Sequence, residues 1–136
     1  CSVTAYRMDT EAGTLKAFQT ISTLPEAYSG SNSCSQIQIT PNGRFLYAPN
    51  RGHNSIAGFR VDPSSGTLSA AGHVATQAVP RAFSLDPQGK FIYAAGLETG
   101  NLTSYVIDQV TGELTPSEIY PVGNRPMWVL TTELGS

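Results

Sequence analysis

Charge is scarce in this sequence: Asp, Glu, Lys and Arg make up 13% of 136 residues, and the net charge is −2. The eight Lys and Arg residues are dispersed, with no basic stripe to follow a phosphate backbone, which argues against nucleic acid as a partner. No apolar run approaches the roughly 20 residues a membrane helix needs, so no membrane association is expected. Helix-period runs of Leu, Glu, Lys and Ala are missing, and no helix is placed. The two cysteines, Cys1 and Cys34, make neither a disulfide framework nor a metal quartet, and they read as unpaired thiols with Cys34 partly buried. The opening CSVTAYRMDT lacks a basic stretch followed by an apolar one, so it is not read as a secretion signal, and a cytoplasmic location is expected. Catalytic signatures are absent too: no Gly-x-Ser-x-Gly elbow, no phosphate-cradling glycine loop, and no His-x-x-x-His or Cys-x-x-Cys spacing. Neither a metal nor a cofactor is implied.

What the chain has is strand composition and a repeat. Low charge with 13 glycines and 9 prolines spread along the length points to strands and turns. Asp62 and Asp108 lie 46 residues apart, as do Gly43 and Gly89, Tyr47 and Tyr93, Gly66 and Gly112, and Pro80 and Pro126. RFLYAPN is answered by KFIYAAG, and GFRVDPSSGTL by SYVIDQVTGEL. Upstream, AYRMDTEAGTL is the same unit, with Asp9 and Asp62 53 apart; the extra residues fall within Thr23–Ser33.

Each unit holds four short strands. In the central copy they are Gln36–Thr40, Phe45–Pro49, Ile56–Asp62 and Leu68–Ala75; in the next, Ala82–Asp86, Phe91–Ala95, Leu102–Asp108 and Leu114–Tyr120. Pro-Asn-Gly and Pro-Gln-Gly suit tight turns, because proline presets φ and glycine accepts positive φ. Four antiparallel strands on a period of about 40 to 50 residues make the blade of a β-propeller; an eight-stranded barrel is the weaker alternative. The chain therefore reads as all-β, a single propeller segment over residues 1–136 of about three four-stranded blades, incomplete at both ends. Its parts are a half-blade at 1–24 (strands Val3–Met8 and Leu15–Ile21), blades at 36–76 and 81–120, and a closing strand at 126–132 (Met127–Thr131). Propellers close with roughly four to eight blades. The segment is thus either part of a longer protein or one copy of a homo-oligomer in which two chains complete a ring.

In an up-and-down sheet alternate connections share a rim. The longer ones, Pro25–Ser35, Pro49–Ser55, Thr76–Arg81, Gly96–Asn101 and Pro121–Pro126, gather on one rim, where binding groups usually sit. Comparing copies separates architecture from function there. Asn50-Arg51-Gly52-His53-Asn54 aligns with Gly96-Leu97-Glu98-Thr99-Gly100, so the blade does not demand Arg51 or His53. Arg81 aligns with Ser35 and Met127, and Gln36 and Gln38 with Ala82 and Ser84. By contrast Phe45, Tyr47 and Leu68 recur as Phe91, Tyr93 and Leu114 and are assigned to packing between blades. Each singled-out residue has a plainer reading. Arg51 ties down a loop as readily as it meets a ligand, His53 serves as a loop-bonding histidine, and the glutamines satisfy water or neighbouring backbone. Arg81, following Pro80 at the start of an inner strand, has the best case for binding. Arg44 and Lys90 read as solvated, His73 as an outer-strand residue without a role, and Trp128 as packing.

ISTLPEAYSGSNSCSQIQITPNGRFLYAPNRGHNSIAGFRVD, PRAFSLDPQGKFIYAAG and PVGNRPMWVL together resemble the C-terminal part of the seven-bladed lactonase family, over the whole chain. That family includes propeller-type 6-phosphogluconolactonases and carboxymuconate-cyclising enzymes. The resemblance implies opening or formation of a lactone ring, with a small anionic lactone or sugar acid as ligand. It makes Arg51 and His53 the catalytic candidates, and Arg81, Gln36, Gln38 and Asn50 the substrate-binding ones. An arginine would polarise the carbonyl or hold a phosphate or carboxylate, and a histidine would act as base. One departure stands out: where the family commonly reads Cys-Ala-Glu-Ile-His, this chain has Cys34-Ser35-Gln36-Ile37-Gln38, with neutral amides that orient water but take no proton. The alternative is a non-catalytic segment that binds a small anion or a partner protein.

Overall fold

A computed structural model describes residues 1–134, so the last two positions of the 1–136 segment lie outside the described residues. The fold is all-β, with ten strands: β1 (Ser2–Asp9), β2 (Thr14–Ser22), β3 (Gln38–Ile39), β4 (Phe45–Asn50), β5 (Ser55–Val61), β6 (Leu68–Ala75), β7 (Pro80–Leu85), β8 (Phe91–Gly96), β9 (Asn101–Ile107) and β10 (Leu114–Pro121). They form a two-stranded sheet, β1-β2, and two four-stranded sheets, β3-β4-β5-β6 and β7-β8-β9-β10, every neighbouring pair antiparallel. A two-stranded sheet and two four-stranded antiparallel sheets in chain order are consistent with a partial β-propeller segment, and the sheets are called half-blade, central blade and second blade below.

Two strands depart from expectation. The Gln36–Thr40 strand shrinks to Gln38–Ile39. In the register that pairs Gln38 with Tyr47 and Ile39 with Leu46, Gln36 would face Pro49, which has no N–H to donate. The ladder stops there and resumes only as an isolated Cys34–Asn50 bridge. The next blade carries Ala95 in place of Pro49, and its inner strand runs the full length of Pro80–Leu85. The second departure is the closing strand: Met127–Thr131 is irregular, because no further strand among the described residues pairs its backbone. The Thr131 hydroxyl nonetheless bonds the Ser84 hydroxyl and donates to the Leu85 carbonyl, so the segment lies along β7.

The core is divided between the blade interfaces. Val3, Ala48, Ala57, Phe59 and Leu68 fill the space between half-blade and central blade. Phe45, Tyr47, Ile56, Phe83, Ile92, Ala94, Tyr105 and Ile107 fill the next one. Tyr47 donates to the Gly112 carbonyl (2.8 Å) and Tyr105 to the Ala75 carbonyl (3.1 Å), so each buried phenol is satisfied across an interface. Of the recurring aromatics, Phe45 is 2% exposed and Phe91 is 36% exposed. The difference arises because only Phe45 has a following blade to cover it. Arg44 is exposed, in keeping with its solvated reading, and also donates to the Gln109 carbonyl (3.1 Å) and lies over the Phe45 ring.

One turn is built three times. Asp9, Asp62 and Asp108 each accept, through Oδ1, the backbone N–H groups two and three residues on. Their carbonyls accept from Gly13, Gly66 and Gly112, which sit at φ of 67°, 73° and 76°. The N–H and hydroxyl of Ser65 with the N–H of Ser64, and the N–H groups of Thr111 and Val110, hold the Asp62 and Asp108 carboxyls below their ordinary value of 3.8. A depressed folded-state pKa gives stability that is complete above the ordinary value and is lost as pH falls through the folded one. Urea midpoints are therefore expected to fall on acidification below about pH 4. The double variant Asp62→Asn, Asp108→Asn should show a shallower acid slope; an unchanged slope would remove these turns as its source.

Candidate anion site at the rim

Three inner-strand starts meet at the rim that carries the longer connections. A cavity of about 360 Å³ is lined by Cys34, Ser35, Gln36, Arg51, Arg81, Met127 and Trp128. Ser35, Arg81 and Met127 are one position of the repeat, and Gln36 and Trp128 are the next. The lining includes two guanidinium groups and no carboxylate, so it favours an anion.

Backbone irregularity presents Arg81. The β7–β8 register shifts between Pro80 and Ala82, which leaves Arg81 as the unpaired residue of a bulge. Val79, just before, is at φ 57°, a strained position for a β-branched residue, and its N–H is held by Asn54 Oδ1 at 2.9 Å. Arg51 enters from the β4–β5 loop. Its Nη2 donates to the Cys34 carbonyl (2.8 Å), while its Nε is buried without a hydrogen-bond partner. The guanidinium ties its loop down, as the plainer reading allows, and Arg51 is also in the cavity lining.

Gln36 and Gln38 reach the neighbouring blade. Gln36 Oε1 accepts from the Phe83 N–H (3.3 Å); Gln38 accepts from the Leu85 N–H (2.8 Å) and donates to the Phe83 carbonyl (3.1 Å). Gln38 thus stands in for a missing strand beside β7 and is not part of the lining. Gln36 is in the lining.

Asn50 is fully buried, and its amide is saturated. Oδ1 accepts from the Thr23 hydroxyl (2.8 Å) and Asn32 Nδ2 (3.0 Å); Nδ2 donates to the Thr23 carbonyl (2.6 Å) and the Ser55 hydroxyl (3.3 Å). It shapes the rim from below and touches no cavity surface. His53 is not brought to the arginines. Its Nδ1 shares a 2.7 Å hydrogen bond with the Ser55 hydroxyl, its ring meets Tyr28 edge-on at 4.8 Å, and it lies outside the lining. His73, expected to have no role, bonds the Thr23 carbonyl through Nε2 at 2.9 Å.

Two contributors escape the sequence reading. Asn32 Oδ1 accepts from the Gly52 and His53 N–H groups, clamping the Pro25–Ser35 connection over the β4–β5 loop. Gly52 permits that approach, since a Cβ there would lie 2.1 Å from the Ser31 carbonyl oxygen. Trp128, expected to pack, is 70% exposed and walls the cavity; the signal for it is its alignment with Gln36. Among the described residues no group of three or more His, Cys, Asp or Glu side chains is placed to hold a metal ion.

The chain is 37% identical over 133 residues to a 6-phosphogluconolactonase of Pectobacterium atrosepticum, covering 98% of this chain and 40% of that protein. A 6-phosphogluconolactonase of Yersinia pestis is 38% identical over 128 residues, covering 94% of this chain and 38% of its own. The chain thus spans about two fifths of the length of the curated relatives it matches. Among solved structures, a Lactobacillus plantarum protein superposes with a TM-score of 0.88 at 28% identity, over 93% of this chain and 37% of that one. The periplasmic gluconolactonase of Pseudomonas aeruginosa superposes at 0.80 with 28% identity, over 90% and 34%. The family model described as lactonase, 7-bladed β-propeller, matches residues 1–131, and the chain belongs to that family.

Proposed function

We propose that this chain supplies the anion-binding rim of a lactone hydrolase of the 6-phosphogluconolactonase type, which opens a sugar lactone to its acid. The observation that carries the reading is the convergence of Arg51 and Arg81 on one carboxylate-free cavity at the starts of three inner strands. One guanidinium holds the phosphate or carboxylate of the ligand, and the other faces the lactone carbonyl. Water adds to that carbonyl, the oxyanion forms beside the guanidinium, the ring C–O bond breaks, and the ring oxygen leaves as a hydroxyl. The proton released as the product acid ionises passes to solvent, since the lining carries no histidine or carboxylate to take it. Gln36 orients water without deprotonating it.

The experiment is hydrolysis of gluconolactone and its 6-phosphate, followed with a pH indicator. Opening above the spontaneous rate is expected, and Arg51→Ala or Arg81→Ala should each lower the enhancement by roughly 10²–10³-fold. A rate equal to spontaneous opening in the unsubstituted chain would overturn the hydrolase reading.

A second reading, a non-catalytic anion-binding segment, draws on the two glutamines. Both bond the β7 backbone at positions where the family commonly carries titratable groups. Binding of 6-phosphogluconate that Arg81→Ala weakens, without hydrolysis of either lactone, would select it.

A further inference from the structure

We propose that Asn32 is the positioning residue of Arg51: its side-chain amide clamps the Pro25–Ser35 connection to the β4–β5 loop and so fixes where the guanidinium stands in the cavity wall. The inference rests on the anion-site reading above and adds what that reading leaves open, how the site keeps its shape.

The β4–β5 loop is closed from outside. Asn50 pairs with Ser55 in the ladder, and between them lie residues 51–54. Three of those four N–H groups donate to the Pro25–Ser35 connection: Arg51 to the Ser33 carbonyl (2.9 Å), and Gly52 and His53 to Asn32 Oδ1 (2.7 and 3.1 Å). Asn32 Nδ2 donates to Asn50 Oδ1 (3.0 Å). One amide thus grips the loop on both sides of Arg51, and Asn32 itself lies outside the cavity lining. The residues that follow Asn32 complete the hold, since the Ser33 carbonyl takes the Arg51 N–H and the Cys34 carbonyl its Nη2 (2.8 Å). The connection is braced internally as well. Tyr28 donates its hydroxyl to the Ser31 carbonyl (2.9 Å), and its ring meets His53 edge-on.

The second blade supplies the comparison. Ser33 and Val79 lie 46 residues apart, as do Asn32 and Ala78, and Arg51 and Leu97. The Leu97 N–H donates to the Val79 carbonyl (2.9 Å), so that bond belongs to the blade. At the next position the Glu98 N–H reaches only the Ala78 backbone carbonyl, at 3.4 Å. The side-chain clamp is therefore an addition to the architecture, present at the loop that carries Arg51. A guanidinium held in one place surrenders less freedom when it meets an anion. Without the clamp the loop and the Cys34 contact loosen together, and affinity falls although no ligand contact is removed.

The test is a double-mutant cycle read by calorimetric binding of 6-phosphogluconate. Asn32→Ala should weaken binding roughly tenfold in the unsubstituted chain and again in Arg81→Ala. In Arg51→Ala, where no guanidinium is left to place, it should weaken binding by less than about twofold. A purely structural role gives the same loss in all three backgrounds; that result overturns the proposal and leaves the anion site standing. A second measurement needs no substitution. A joint that favours the ligand is favoured by it in turn, so saturating 6-phosphogluconate should slow hydrogen exchange of the Gly52 and His53 amides by roughly tenfold. The Ser64 and Ser65 amides, capped in the same way by Asp62 Oδ1 on the opposite rim, are the control and should not slow. Equal slowing at both pairs, or at neither, also overturns the proposal. Failure of the unsubstituted chain to bind 6-phosphogluconate overturns the anion site and the positioning role together. Absence of lactone hydrolysis with the coupling intact overturns only the hydrolase reading.

Discussion

Gly112→Ala is expected to destabilise the chain by about 3 kcal/mol, as the sum of overpacking and left-handed strain. A Cβ on Gly112 would lie 2.3 Å from Phe45 Cδ1 and 2.7 Å from Cε1, in the interface where Tyr47 also bonds the Gly112 carbonyl. The repeat provides its own control. Gly66 has nearly the same φ, yet a Cβ there meets only Phe18 Cζ at 3.6 Å, and one on Gly13 meets nothing within 4 Å. Gly66→Ala and Gly13→Ala therefore carry the strain alone, roughly 1–2 kcal/mol each. Phe45→Ala should cost about 3–5 kcal/mol, and in the double variant with Gly112→Ala the clash disappears, so the two effects should sum to less than their separate values. Urea midpoints for the three glycine variants decide the matter. Equal shifts at all three would show that the aromatic does not occupy the glycine turn.

Asn50→Ala should be comparably damaging, by roughly 3–4 kcal/mol, because it removes a buried amide with four hydrogen bonds. Asn32 Nδ2 is left without its partner, and the Thr23 hydroxyl, the Thr23 carbonyl and the Ser55 hydroxyl lose one bond each. The damage should also be local in a measurable way. Asn50 anchors the Pro25–Ser35 connection, and half-buried Cys34 lies beside its Oδ1. Cys34 should thus react faster with a thiol reagent in Asn50→Ala, below the unfolding midpoint, with Cys34→Ser in the same background identifying the thiol. Unchanged Cys34 reactivity in a destabilised variant would mean that Asn50 supports the core without holding the loop.

Blade order and strand positions were legible because they rest on residues that recur. Asp9, Asp62 and Asp108, with their glycines, mark the same turn three times; Phe45 and Tyr47 mark one packed face. The site was legible only in part. Arg51 and Arg81 stood out as unrepeated polar residues on the rim of the longer connections, and both line one cavity. The fate of Asn50, Gln38 and His53 depends on hydrogen bonds to residues distant in sequence or folded across loops, such as Gln38 with Leu85. No local pattern encodes those. Trp128 lines the same cavity, and only its register against Gln36 points there. The shortened inner strand, by contrast, was readable in principle, since Pro49 cannot donate to a ladder.

The fit of Phe45 into the Gly112 turn also gives each blade a direction. The aromatic lies on one face of a blade and the receiving glycine belongs to the next, so units join head to tail and never face to face. Among the described residues Phe91 has no glycine turn to receive it, whereas the Gly66 turn meets Phe18 of the half-blade and borders a cavity of about 640 Å³. Any unit grafted after the second blade must therefore bring a Gly66-like turn to Phe91. Extension of the arc has a polarity, and a blade inserted in reverse has no seat.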